Sequence, residues 1–273
     1  MTLTDAVDFN RAVLARAYVR VVGVNREISW MLAEIFLPML SVTAYIFLYR
    51  ALGAPKMYEG LVVLGAAMIP FWLVVLWSMA MQFYWEKEMG NLDIYMASPT
   101  NPIALLLGMA IGGLVMGGLR SFAVLLVGLG VFRVELSVTS WPALVVAFVL
   151  TLSALFTMGM AAASVYFVTG RKGIKINIAL MEPIYMLSGM FFPMKNMGRI
   201  LGAVASIVPL SIGLDAIRQV TLPGMANLEF LPFKVELGIL MVMTVVFGVL
   251  ALKLMARMER KGKTEGTLTE KWL

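Results

Sequence analysis

Residues 60–84 read GLVVLGAAMIPFWLVVLWSMAMQFY, twenty-five positions without a charged side chain. A helix crosses the hydrocarbon core of a bilayer in ~20 apolar residues, so this stretch is predicted to span a membrane. Working outward, comparable stretches recur at about Ser29–Tyr49, Pro102–Val131, Trp141–Val168, Ile174–Phe192 and Val235–Met255, giving six predicted spans. Composition agrees, since 61% of the 273 residues are apolar and 14% charged, against roughly 45–50% and 25% in soluble domains. A water-soluble enzyme, a disordered chain and a coiled coil are excluded as the main content. The expected fold class is an all-α integral membrane protein with six transmembrane helices, an N-terminal amphipathic interfacial helix and a re-entrant outer hairpin before the last span.

The segment before the first span carries Arg11, Arg16, Arg20 and Arg26. Leu14, Ala17, Tyr18, Val21 and Val22 share one helical face and Arg16 and Arg20 the opposite one, the pattern of a helix lying at a membrane surface. No short apolar core with a small-residue cleavage site precedes it, so no cleaved signal peptide is expected. The apolar piece Ile200–Ile217 is interrupted by Pro209 and Gly213 and followed by Arg218, which suits a hairpin better than a crossing. The chain is expected to form one domain, 1–273: a cytoplasmic amphipathic helix over 1–28, a six-span bundle over 29–256 and a flexible cytoplasmic tail over 257–273.

The formal charge of +6 is distributed in a way that points to topology rather than to nucleic acid. Four Lys and Arg precede the first span, one lies in the loop at 85–101, three in 170–175 and six from Lys253 onward, against seven on the other side. The positive-inside rule then puts both termini in the cytoplasm, in a multi-pass membrane protein. Cysteine and histidine are absent, which removes disulfides, thiolate and imidazole metal sites and any Cys or His base; no metal site and no catalytic residue is expected. Nor does G-x-x-x-x-G-K-[ST] occur, so the chain has no phosphate-cradling loop of its own.

Two features within the spans invite a role. Gly108, Gly112, Gly113, Gly117 and Gly118 form interleaved small-xxx-small pairs that let helix backbones approach closely, within one subunit or between two. Arg120 and Glu182 lie inside apolar stretches, with Glu34 near the start of the first; intramembrane charges are costly unless paired or hydrated. Arg120 and Glu182 can form a structural pair, or Glu182, next to Pro183, can serve a self-sufficient carrier driven by an ion gradient. That carrier is the alternative reading of function.

The loop after the second span reads Trp85-Glu86-Lys87-Glu88-Met89-Gly90-Asn91-Leu92-Asp93, then Ser98-Pro99. A short helix with acidic residues, a Gly break and a Pro stop makes a rigid foot, and its acidity suits a protein partner. Farther on come Leu187-Ser188-Gly189-Met190-Phe191-Phe192-Pro193, Pro209-Leu210 and Asp215-Ala216-Ile217-Arg218. In order and spacing the two patterns resemble the permease subunits of ABC-2 type ATP-binding-cassette exporters, whose loop runs E-x-E-x-G-T-L-E and whose outer hairpin carries S-G-x-x-x-P, P-L and A-x-R. Asn91, Met109, Gly198 and Ser211 depart from the residues common there.

The resemblance implies a half-transporter. Two copies of this permease, or this one with a related permease, would join two cytoplasmic ABC ATPase subunits that bind ATP and Mg, and the chain itself would bind no cofactor. Glu86, Glu88, Gly90, Leu92 and Pro99, with Arg16 and Arg20, would couple to the ATPase. Phe71, Trp72, Trp77, Tyr185, Met186 and Met190 would line the path of a hydrophobic or amphipathic substrate of the drug, lipid or glycolipid class. Ser188, Gly189, Pro193, Pro209 and Arg218 would form an outer gate, and the lipid bilayer would be the remaining partner.

Overall fold

The computed structural model describes residues 3–25, 28–91, 94, 102–169, 171–222, 224–225 and 228–265, Glu182 in its backbone only. Its helices are α1 (Leu3–Asn25), α2 (Ile28–Ala51), α3 (Met57–Leu73), α4 (Gln82–Glu88), α5 (Pro102–Gly130), α6 (Trp141–Thr169), α7 (Arg171–Leu187), α8 (Gly198–Ala205), α9 (Pro209–Thr221) and α10 (Phe233–Glu265). The protein is an all-α integral membrane protein, and among the described residues it has no strand.

The stretch at 60–84 becomes the central column. Every residue from Glu59 to Trp72 is buried in α3. Pro70 removes the hydrogen bond its N–H would have given to Ala66, and the helix continues as a π segment, Val74–Ala80, before passing through Met81 into α4. One continuous column thus runs from Met57 to Glu88. α5 lies beside it, with Gly128 receiving Val63, Gly117 receiving Phe71 and Gly113 receiving Val74. α1 runs along the opposite flank of α5, while α10 packs along α6 and α9 lies against α6, α10 and α3.

The two ends of the bundle differ. At one end Ser137 and Thr139 donate backbone N–H groups to Thr221 and Val220 at 3.0 and 2.9 Å. There Arg50 grips Glu59 through two hydrogen bonds of 2.9 and 2.7 Å and reaches the Phe132 carbonyl. This is the hairpin end. At the foot end, α4 meets α1, and Ala80, Met81, Tyr84 and Tyr166 form a small cluster.

Among the described residues five helices are long and apolar enough to cross a membrane, in the ranges Leu32–Ala51, Met57–Ala80, Ile103–Gly130, Trp141–Tyr166 and Phe233–Met258. The sixth predicted span is the 17-residue α7, about 25 Å at 1.5 Å per residue and short of the ~30 Å hydrocarbon core. Just past its end Met190 abuts Gly65, eight residues inside α3, and the hairpin follows. That hairpin is a 3-10 turn at Met194–Met197, then α8 and α9. Pro209 opens α9, where a missing N–H costs nothing. Gly213 does not interrupt it; it sits within the helix because a Cβ there would overlap Thr151 of α6. The expected flexible tail is also corrected in part: α10 continues to Glu265.

Candidate functional site

The foot is built from local rules. Gly90 takes a left-handed φ of 74°, and the Asn91 and Gly90 N–H groups return to the Glu86 and Lys87 carbonyls at 2.9 and 3.0 Å, a Schellman closure of α4. Glu86, expected to couple to the ATPase, is buried. Its carboxylate takes hydrogen bonds from Arg16, from Gln82 and from the Asn91 amide at 3.2 Å. Glu88 is exposed beside Trp85 and Met89. Leu92 and Pro99 lie outside the described residues.

α1 packs on the bundle through the side that carries Arg16 and Arg20, which were expected to couple to a partner ATPase. Val13 and Ala17 are buried, whereas Leu14 and Tyr18 are 65% and 70% exposed. Arg16 and Arg20 lie at i+3 and i+7 from Val13, on the packed face. The reason is the glycine groove of α5: a Cβ on Gly108 or Gly112 would meet the Val13 and Ala17 carbonyls and the Arg16 and Arg20 stems. The glycine pairs therefore serve packing within the chain. Arg16 then pairs with Glu86, and Arg20 donates to the Ser78 hydroxyl of the π segment. Burial, then the neighbouring Arg120, push the Arg20 guanidinium below its ordinary range.

Arg120 pairs with Glu34 of α2, which corrects the expected pairing with Glu182; the Glu182 side chain lies outside the described residues.

These charges line a cavity of about 980 Å³ bounded by α1, α2, the α3–α4 column, α5 and α7. Along the column Ile69, Leu73, Trp77, Ser78, Gln82 and Glu86 face it, nearly all four residues apart and so on one face. Tyr185 and Phe191 close it toward the hairpin end, and Arg16, Arg20, Arg120 and Glu34 furnish the rest of its charge. Of the six residues expected along a substrate path, Trp77 and Tyr185 line this cavity. Phe71, Trp72 and Met190 do not. They are buried in the core, Phe71 with its ring edge-on to Phe148 at 5.5 Å, because α5 and α6 cover that face of α3. Met186 is 67% exposed on the outside of α7.

At the hairpin end two of the residues read as a gate, Gly189 and Arg218, come together. Gly189 has φ 70°, and the turn it begins is held by three successive carbonyls. Arg218 donates to Gly189 O at 2.6 Å and Met190 O at 2.7 Å, and also to Leu61 O of α3 at 2.8 Å. Tyr49 donates to Phe191 O at 2.7 Å, and Tyr45 stacks on the Phe191 ring at 4.3 Å. Ser188, Pro193 and Pro209 are buried around it. On the other face of α9, Gln219 donates to Leu231 O and Glu236 at 2.8 and 2.9 Å, and Asp215 accepts from the Phe230 N–H at 2.9 Å. Glu34 was noted in the sequence as an intramembrane charge, but Tyr45, Tyr49, Gln219 and Glu236 were missed as site residues. Only the isolated polarity of Glu236 near a span end signalled any of these four.

This geometry defines a class: a polytopic helical membrane protein whose central column carries both a foot and the wall of a charged cavity. Residues 11–222 match the family model described as ABC-2 type transporter, and the chain belongs to that family as a permease subunit. Among the curated proteins none matches the chain.

Proposed function

We propose that this chain is the membrane half of an ATP-driven exporter, moving a hydrophobic or amphipathic substrate while separate ABC ATPase subunits hold ATP and Mg. The foot end faces the cytoplasm of a plasma (inner) membrane, where the positive-inside rule puts the N- and C-termini, and two permeases assemble per complex. The observation that carries this reading is the unbroken column from Met57 to Glu88. Its lower end exposes Glu88, Trp85 and Met89, and the last two line the cavity together with one face of the column. A partner that moves the foot also moves the cavity wall. The drive is the greater affinity of ATP for the closed ATPase pair.

The test is purification from the native host after crosslinking, identification of what accompanies the chain by mass spectrometry, and an assay of ATP hydrolysis. A stoichiometric Walker-motif ATPase is expected, and Glu88→Lys on the exposed foot is expected to lower its recovery at unchanged membrane insertion. A homogeneous chain with no ATPase, active with an ion gradient alone, overturns the reading.

A further inference from the structure

The cavity joins charged and apolar walls, and the charges of its described lining residues do not balance. Among the described residues it is lined by three guanidinium groups and two carboxylates. Arg16 is matched by Glu86 and Arg120 by Glu34. Arg20 has no carboxylate within ion-pair distance among the described residues; its partner is the neutral Ser78 hydroxyl, and its Nε is buried without a hydrogen-bond acceptor. Glu34, already paired with Arg120, offsets the charge of Arg20 only in part, and Arg presents a planar fork suited to phosphate. Immediately above it the wall turns to Leu73, Trp77, Ile69 and Tyr185, a surface for hydrocarbon.

We propose that this cavity binds an anionic amphiphile, with its phosphate on Arg20 and its chain against Trp77 and Tyr185. The inference rests on the cavity being the substrate path and names the class of substrate taken from the cytoplasmic side. A cationic amphiphile would meet the excess positive charge, and a neutral one would leave Arg20 unmatched.

The experiment is saturation binding to the purified full-length chain in detergent, with dansyl-labelled phosphatidic acid and dansyl-labelled phosphatidylcholine of equal chain length. The phosphatidic acid analogue is expected to bind tighter by about ten-fold or more, the worth of a hydrogen-bonded charge. Arg20→Gln should abolish that preference, weakening the phosphatidic acid analogue more than the choline analogue, Arg20→Lys should retain part of it, and Tyr185→Ala should weaken both analogues. Equal affinity of the two analogues for the unaltered protein overturns the proposal whatever the variants do. So does a preference that survives in a folded, monodisperse Arg20→Gln. Displacement of the label by inorganic phosphate at concentrations matching the lipid would assign the site to free phosphate and overturn the amphiphile. Binding needs no ATP, so the two readings fail separately. A missing ATPase subunit defeats the transport reading and leaves a headgroup preference standing; an ATPase complex without the preference does the reverse.

Discussion

Arg218 is wholly buried, yet among the described residues no carboxylate lies within ion-pair distance of it. Three backbone carbonyls take that place. Two of them, from Gly189 and Met190, follow the last turn of α7, where unsatisfied carbonyls carry the negative end of the helix dipole. The third belongs to α3, so one side chain fastens the end of α7 to the central column and to α9. The close approach at Gly65, where a Cβ would overlap the Met190 carbonyl, brings those acceptors within reach. Removing the guanidinium leaves buried acceptors unpaired, at about 1–3 kcal/mol apiece. Arg218→Met is therefore expected to lower the thermal-unfolding midpoint of the solubilised protein sharply, and Arg218→Lys to lower it less, because an ammonium cannot reproduce the fork. An Arg218→Met protein as heat-resistant as the parent would remove the clamp.

At the scale of the element, α5 shows what a glycine pattern can and cannot specify. Its spacing predicted close approach, and the approach is there. It could not say which neighbour each pair receives, since a period of four residues defines a face and not the helix that fills it. Gly108 and Gly112 take α1, Gly113 and Gly117 take the α3 column, and Gly118 meets nothing within 4 Å. Gly112→Leu is thus expected to lift α1 from its groove at about 1–3 kcal/mol, the cost of overpacking, and to open Arg16 and Arg20 to trypsin. Gly118→Leu should leave the digestion pattern unchanged. Equal behaviour of the two variants would detach α1 from the groove. The packing of α1 through its arginine side has the same origin. A helical wheel places Arg16 and Arg20 on one face, but Arg16 finds Glu86 seventy residues along the chain, a pairing that local periodicity does not contain. Arg120 likewise had more than one acidic residue within apolar stretches to choose from, and only the packing of α2 on α5 selects Glu34.

At the scale of the whole molecule, the spans and the foot were legible because length, hydropathy and Gly-Pro punctuation are local. The depth at which α7 stops, and the side of α3 that faces the cavity, were not. Both are set by which helices cover the column, and Phe71 and Trp72 look the same in sequence whether they line a path or fill a core. What the assembled fold adds is a mechanical link. α1 is held to α5 by the glycine groove and to the foot by Arg16 and Glu86, so a force on the foot is shared between the column and α1, and both bound the cavity. If the ATPase drives the foot, that ion pair determines whether α1 follows. Reversing either charge alone, Arg16→Glu or Glu86→Arg, sets like charges against each other in a poorly solvated site and is expected to lower the substrate moved per ATP hydrolysed by about ten-fold, with hydrolysis itself preserved. The double exchange restores opposite charges across the same gap and should recover part of the loss, because residues in one ion pair are non-additive. The measurement is transport and hydrolysis side by side in reconstituted vesicles. A double exchange no better than the worse single variant would mean that Glu86 only closes the foot locally, with Gln82 and Asn91, and that α1 takes no part in coupling.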